Sequence, residues 1–126
     1  MKASILSLSL LALVACGAAA DNTVVEATRE TRAQSLAGEA CTVYEKCNMY
    51  GSGDNYGTRA DCVADYNKKA LDMWPADKCN ANRINDGKFQ NCVGAVKEQA
   101  CSQGFFDAIA ALDKCKSSTV CTDNAN

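Results

Sequence analysis

Between positions 41 and 121 the chain carries eight cysteines, Cys41, Cys47, Cys62, Cys79, Cys92, Cys101, Cys115 and Cys121, and it has no histidine anywhere. An even set of cysteines in a short exported domain reads as a disulfide framework. Zinc sites want close C-x-x-C pairs, often with histidine. Here the tightest spacings, Cys41 to Cys47 and Cys115 to Cys121, are too wide for that pattern. The same lack of a C-x-x-C pair argues against thioredoxin-type redox chemistry. The chain must therefore fold as a small domain held by crosslinks, with no metal and no cofactor expected.

The framework presupposes export, and the N-terminus supplies it. Met1-Lys2 gives a positive charge, and Ile5 to Val14 is apolar apart from Ser7 and Ser9. About ten residues suit the apolar region of a secretory signal and fall short of the ~20 needed to span a bilayer. Leu13-Val14-Ala15-Cys16 then closes the run as a lipobox. A thiol at the cleavage point takes a diacylglyceryl thioether, and acyl chains contribute about 0.8 kcal/mol per buried methylene, so two or more hold firmly. The expected organisation is a signal peptide over 1–15, a lipidated tether over 16–22 starting at Cys16, a helical Cys-rich domain over 23–121 and a loose tail over 122–126. Gly17 after the cysteine points, by resemblance to Gram-negative lipoproteins, to the outer membrane.

Charge narrows the partners. The whole chain has a formal net charge of −2, and loss of Lys2 with the leader makes it one unit more negative. The basic residues are scattered, whereas a phosphate binder clusters them. No nucleic-acid partner is expected, and no basic patch for anionic lipid is present.

Apolar periodicity predicts helices. Thr23 with Glu26 fits a capping box, and a helical pattern runs to about Met49 with Leu36, Ala40, Val43, Tyr44 and Cys47 on one face. Residues 50–57 are turn-rich. Thr58 with Asp61 starts a second helix reaching Trp74, with Val63, Tyr66, Ala70, Met73 and Trp74 near one face and Pro75 at its end. Asn85 or Asp86 caps a third, to about Ala100, burying Phe89, Cys92, Val93, Val96 and Ala100. A fourth spans roughly Phe105 to Cys115, with Phe105, Ile109, Leu112 and Cys115 inward. Residues 116–126 read as polar and loose except at Cys121. No segment alternates as a half-buried strand does. The fold class is all-α, a small disulfide-stapled bundle of about four helices.

A core this small is thin, and crosslinks at about 2–4 kcal/mol each offset that. Antiparallel packing of the first two helices brings Cys47 and Cys62 to one end, so Cys47–Cys62 is the first pairing expected; closing that loop contributes about 3 kcal/mol. Cys115–Cys121 is the second, by proximity in sequence. Cys79–Cys92 and Cys41–Cys101 then remain, with Cys41–Cys92 as a competitor because both lie mid-helix.

The order of these features resembles a known family. A lipobox precedes a helix with Cys41 and Cys47, then Gly51, Gly53 and Tyr56, then Arg59 and Cys62, Trp74-Pro75, Cys79, Arg83-Ile84, Cys92, Cys101, Cys115 and Val120-Cys121. The pattern resembles small Cys-rich bacterial lipoproteins of unknown function, some of them labelled accessory to natural-product biosynthesis. The resemblance covers essentially the whole chain after the signal and implies location and fold class. It brings no catalytic residues with it.

Candidate chemistry is sparse. The loop Gly51-Ser52-Gly53-Asp54-Asn55-Tyr56-Gly57 matches neither the dinucleotide fingerprint nor a calcium loop. It reads as a flexible turn, and Tyr50, Asp54 and Tyr56 form its candidate binding edge, since exposed tyrosines favour interfaces. Asp61 and Asp65 lie one helical turn apart, and Asp107 stands near the fourth helix; a solvated helix face explains them. Without histidine the usual base for a serine or cysteine nucleophile is missing, and Lys68 or Lys69 as a base has no supporting partner. The sequence thus favours a non-catalytic binding or accessory module tethered to the cell envelope through its N-terminal lipid, with an envelope protein or a small metabolite as partner. The alternatives are a small enzyme or substrate-presenting factor in secondary-metabolite biosynthesis, and a structural spacer.

Overall fold

A computed structural model describes residues 28–51, 53, 55–80, 83–101 and 105–122, with side chains from 108 onward in the last stretch. The signal peptide, Cys16, the Thr23–Glu26 capping box, Asp54, the Phe105 and Asp107 side chains and residues 123–126 lie outside the described residues. Five α-helices follow in order: α1 Arg29–Lys46, α2 Arg59–Met73, α3 Asp86–Lys97, α4 Phe105–Ala111 and α5 Ser117–Val120, with a 3₁₀ turn at Asp113–Cys115 between the last two. Among the described residues there is no strand. The chain is a small all-α fold stapled by disulfides.

Local sequence sets the helix ends. Thr28, Thr58 and Asn85 sit in extended backbone and accept from the amides of Thr31, Asp61 and Lys88, each satisfying one unpaired N–H of a first turn. At α2 the Thr58 hydroxyl also donates to the Asp61 carboxylate at 2.7 Å, which orients the capping oxygen. α1 ends in a Schellman motif: Met49 N–H reaches Tyr44 C=O at 3.2 Å and Asn48 N–H reaches Glu45 C=O at 2.9 Å. Asn48 takes the left-handed conformation this requires, at φ 51°, a region asparagine tolerates better than most residues.

α1 and α2 form the main packing pair. They run antiparallel, because Arg29 at the start of α1 reaches the end of α2. Its Nη2 donates to Leu71 C=O at 2.8 Å and its Nε to Trp74 C=O. α2 has no basic residue in its own last turn, so Arg29 supplies the cation that a helix C-terminus favours. At the other end Arg59 binds Gly38 C=O and Thr42 Oγ1, both at 3.1 Å. α3 also packs against α1 and runs parallel to it. Early residues pair (Arg32 with Asp86), and later ones pair (Glu39 with Lys97 at 3.3 Å). Arg32 also stacks its guanidinium 4.7 Å from the Phe89 ring, a cation–π contact.

The buried cluster takes one face from each of these helices: Leu36, Ala40, Val43 and Tyr44 from α1, Tyr66 and Ala70 from α2, Phe89, Cys92, Val93 and Val96 from α3. Trp74, at the end of α2, is fully buried. Its ring meets Phe89 edge-on at 5.9 Å, a preferred aromatic geometry. Ile109, Cys115 and Val120 close the core from the C-terminal segment. Val63, Met73 and Leu112 are half-buried against it, as is Cys47.

Four details differ from the sequence expectation. α1 starts at Arg29, because Thr28 is extended and caps it, so the helical run expected from Thr23 is interrupted there, and it ends at Lys46 rather than near Met49. α3 stops at Lys97, so Ala100 is exposed rather than inward. The fourth helix breaks at Leu112, whose extended backbone lets the 3₁₀ turn place Cys115 against α3. Residues 117–120, expected to be loose, form a short helix with Val120 buried, and the Asn85 amide donates to Val120 C=O at 2.9 Å.

All eight framework cysteines are crosslinked, but each expected pairing is corrected. The bonds are Cys41–Cys62, Cys47–Cys101, Cys79–Cys121 and Cys92–Cys115. Cys47–Cys62 fails on register. The helices are antiparallel as expected, but Cys47 is the C-cap of α1, where it bonds Cys101. The cysteine level with the first turns of α2 is Cys41, between buried Ala37 and Tyr44 on the inward face. Cys41–Cys101 fails because α3 is parallel to α1, so a residue just past the end of α3 lies beside the end of α1, where Cys47 is. Cys115–Cys121 fails because α5 intervenes and carries Cys121 to the linker at Cys79. Cys115 then meets Cys92 at the middle of α3, which excludes Cys79–Cys92 and Cys41–Cys92. The observed bonds span 21 to 54 residues, and longer closed loops constrain the unfolded chain more, at roughly 3–4 kcal/mol each.

Candidate functional site

The glycine-rich loop between α1 and α2 gathers several polar and charged side chains. Tyr50 and Tyr56 pair as an isolated bridge, and the Gly51 amide donates to Tyr56 C=O at 3.1 Å. Gly51 and Gly53 adopt φ 144° and 105°, values open to glycine and costly for residues with a Cβ. The loop is therefore closed on itself rather than a free turn.

Tyr44 of α1 anchors it from below. Its ring lies 5.0 Å from that of Tyr50 and 5.6 Å from that of Tyr56. The Tyr50 hydroxyl donates to Cys41 C=O at 2.8 Å. Tyr56 is 8% exposed, and its hydroxyl donates to the Asp65 carboxylate on α2. Lys69, one turn further along α2, donates to the Tyr56 oxygen at 3.2 Å and pairs with Asp65 at 2.9 Å. Its ammonium stands 5.9 Å from the Tyr56 ring centre.

The electrostatics of this cluster are self-consistent. Burial raises the Tyr56 hydroxyl above its ordinary pKa, and the Asp65 carboxylate reinforces that. The hydrogen bond from Lys69, followed by that from Tyr56, holds Asp65 below the usual carboxylate range. For Lys69 burial works against the charge, but the bonds to Asp65 and Tyr56 outweigh it and its pKa rises. Near neutral pH the three are a neutral phenol, a carboxylate and an ammonium. A neutral phenol whose proton is already given to a carboxylate is a poor nucleophile, and neither charged group titrates near pH 7, where acid–base catalysis needs it. The arrangement suits a latch that fastens the loop to α2.

In the sequence these residues stand apart, Tyr56 at a loop edge, Asp65 as one of two carboxylates a turn apart and Lys69 as a lysine with no evident partner. The structure brings the three together and separates Asp61, whose carboxylate and amide serve the Thr58 cap. The signal available was the i, i+4 spacing of Asp65 and Lys69. Of the expected binding edge, the Tyr56 ring is buried and Tyr50 is half-buried with its hydroxyl engaged. Neither ring is exposed in full, and Asp54 lies outside the described residues. Lys68 is exposed on α2. Among the described residues no three His, Cys, Asp or Glu side chains stand together as a metal group, and no helix is long and apolar enough to cross a membrane.

The profile of a family of unknown function (DUF6184) covers residues 41–123, from the first framework cysteine to just past the last. No curated protein and no solved structure matches the chain.

Proposed function

Since the chain belongs to a family of unknown function (DUF6184), its own residues must carry the reading, and we propose that it is an exported lipoprotein acting as a non-catalytic binding or accessory module of the cell envelope. One observation carries this. The eight cysteines from 41 to 121 bond only to one another. Of the nine in the chain that leaves Cys16, which stands where a lipobox places its acylated residue. Four disulfides also fit an oxidising compartment outside the cytoplasm. The lipid holds the domain to the outer membrane, with residues 17–22 as its tether.

The non-catalytic part of the proposal draws on the latch. Its ionisable groups are spent on holding their own loop, with each charge paired. The partner is another envelope protein, met on the surface of the crosslinked domain. The natural-product label carried by similar lipoproteins fits the same tethered accessory role.

Membrane fractionation of the wild type and of Cys16→Ser tests the reading. The wild type should sediment with outer membranes. Cys16→Ser should appear in the soluble exported fraction with its four disulfides intact. Retention of Cys16→Ser on the membrane would remove the lipid anchor.

A further inference from the structure

The four disulfides differ in their access to solvent. Six of the eight cysteines are buried: Cys41, Cys62, Cys79, Cys92 and Cys115 expose nothing, and Cys121 exposes 7%. Cys101 is exposed, and Cys47 is half-buried at the end of α1. A thiolate must reach a sulfur before it can break a disulfide, so access selects among bonds of otherwise equal chemistry. Cys47–Cys101 is the bond an outside thiol can reach without opening the core.

Its place in the fold gives cleavage a consequence. Cys41–Cys62 lies within the α1–α2 pair, and Cys92–Cys115 within the unit made by α3 and the 3₁₀ turn. Only Cys79–Cys121, at the linker after α2, and Cys47–Cys101, at the ends of α1 and α3, join one unit to the other. Near that end the two units are also joined by Glu39–Lys97, a surface ion pair of a kind that contributes little, whereas Arg32–Asp86 lies at the opposite ends of α1 and α3. Opening Cys47–Cys101 therefore frees one end of the α1–α3 contact while Cys79–Cys121 and the apolar core retain the rest.

We propose that Cys47–Cys101 is a thiol–disulfide exchange site for an external dithiol, and that its reduction loosens the C-terminal ends of α1 and α3 without unfolding the domain. One thiolate of the dithiol attacks Sγ of Cys101, forming a mixed disulfide. The Cys47–Cys101 bond breaks, and Cys47 leaves as a thiolate that takes up a proton. The second thiol of the dithiol, as thiolate, then attacks its own mixed-disulfide sulfur and releases Cys101, which is protonated in turn. Two electrons and two protons pass from the dithiol, which becomes a disulfide, to Cys47 and Cys101. The site is independent of the lipid anchor and of the envelope role proposed above.

The test uses the full exported chain under native conditions. It is exposed to graded dithiothreitol, quenched with iodoacetamide, and mapped peptide by peptide. Cys47 and Cys101 should be alkylated together, at least about tenfold faster than any other framework pair, while the far-ultraviolet circular dichroism retains its helical signal. The double variant Cys47→Ala/Cys101→Ala should take up no label at the doses that open the wild-type bond. Earlier labelling of another pair, simultaneous labelling of all eight, or loss of helix together with the first label would overturn the proposal. Mapping on the wild type alone decides it if the double variant fails to fold.

Discussion

The indole N–H of Trp74 donates to the backbone carbonyl of Cys115 at 2.8 Å. The bond joins the end of α2 to the 3₁₀ turn across 41 residues of chain and lies fully inside the core. Cys115 also holds Cys92, so a single residue receives both a hydrogen bond from α2 and a covalent bond from α3.

Trp74→Phe keeps an aromatic ring but deletes the donor. The Cys115 carbonyl is then buried with a lost partner, which costs about 1–3 kcal/mol, and the smaller ring leaves part of the cavity unfilled, which adds to it. Urea unfolding of the disulfide-intact protein should show a lower midpoint with an unchanged slope. An unchanged midpoint would mean that the bond contributes nothing to stability.

Two glycines should respond in opposite senses. Gly38 lies within α1 with open space where a Cβ would go, so Gly38→Ala should stabilise by about 0.5–1 kcal/mol through helix propensity. Gly53 also has open space, but its φ of 105° excludes a comfortable alanine, so Gly53→Ala should destabilise by about 1–3 kcal/mol. Thermal unfolding of both variants beside the wild type checks the pair, and a gain in stability at Gly53 would show that the loop is not held in the conformation described.

Alkaline pH should weaken the fold through its buried phenols. Burial raises the Tyr66 hydroxyl well above its ordinary value, and Tyr56 shifts the same way. An unfolded tyrosine ionises at about 10. The folded chain then keeps protons that the unfolded chain has released, so this contribution is complete below pH ~10 and is lost as pH rises from there toward the folded values. Unfolding midpoints should hold up to about pH 10 and fall above it in the wild type, and fall less in Tyr66→Phe. Equal losses in both would exclude Tyr66 as a source.

The helices were legible because their signals are local. Thr58 and Asn85 cap where capping chemistry places them, Pro75 follows the end of α2, and the 3.6-residue spacing of Leu36, Ala40, Val43 and Tyr44 marks a face that is buried in fact. The disulfide map was not legible, because it depends on the direction of α3 relative to α1. That direction is visible in the Arg32–Asp86 and Glu39–Lys97 pairs and in the packing of Phe89, contacts that no local pattern in the chain announces. Proximity in sequence therefore favours near neighbours, such as Cys115 and Cys121, where the fold joins distant ones. The latch was half legible. Asp65 and Lys69 share a helix face by spacing alone, but the arrival of Tyr56 depends on how the Gly51–Gly53 loop closes. Tyr44 and Tyr66 entered the core as a chain with few aromatics requires.

The account turns on a fully crosslinked domain carried by a lipid at Cys16. The intact mass of the membrane-extracted chain, with thiols alkylated before any reduction, tests it most directly. The account predicts a chain that begins at Cys16, carries acyl groups and has no alkyl group on Cys41, Cys62, Cys79, Cys92, Cys115 or Cys121. A mass that retains residues 1–15, one without acyl groups, or alkylation at any of those six cysteines would contradict it.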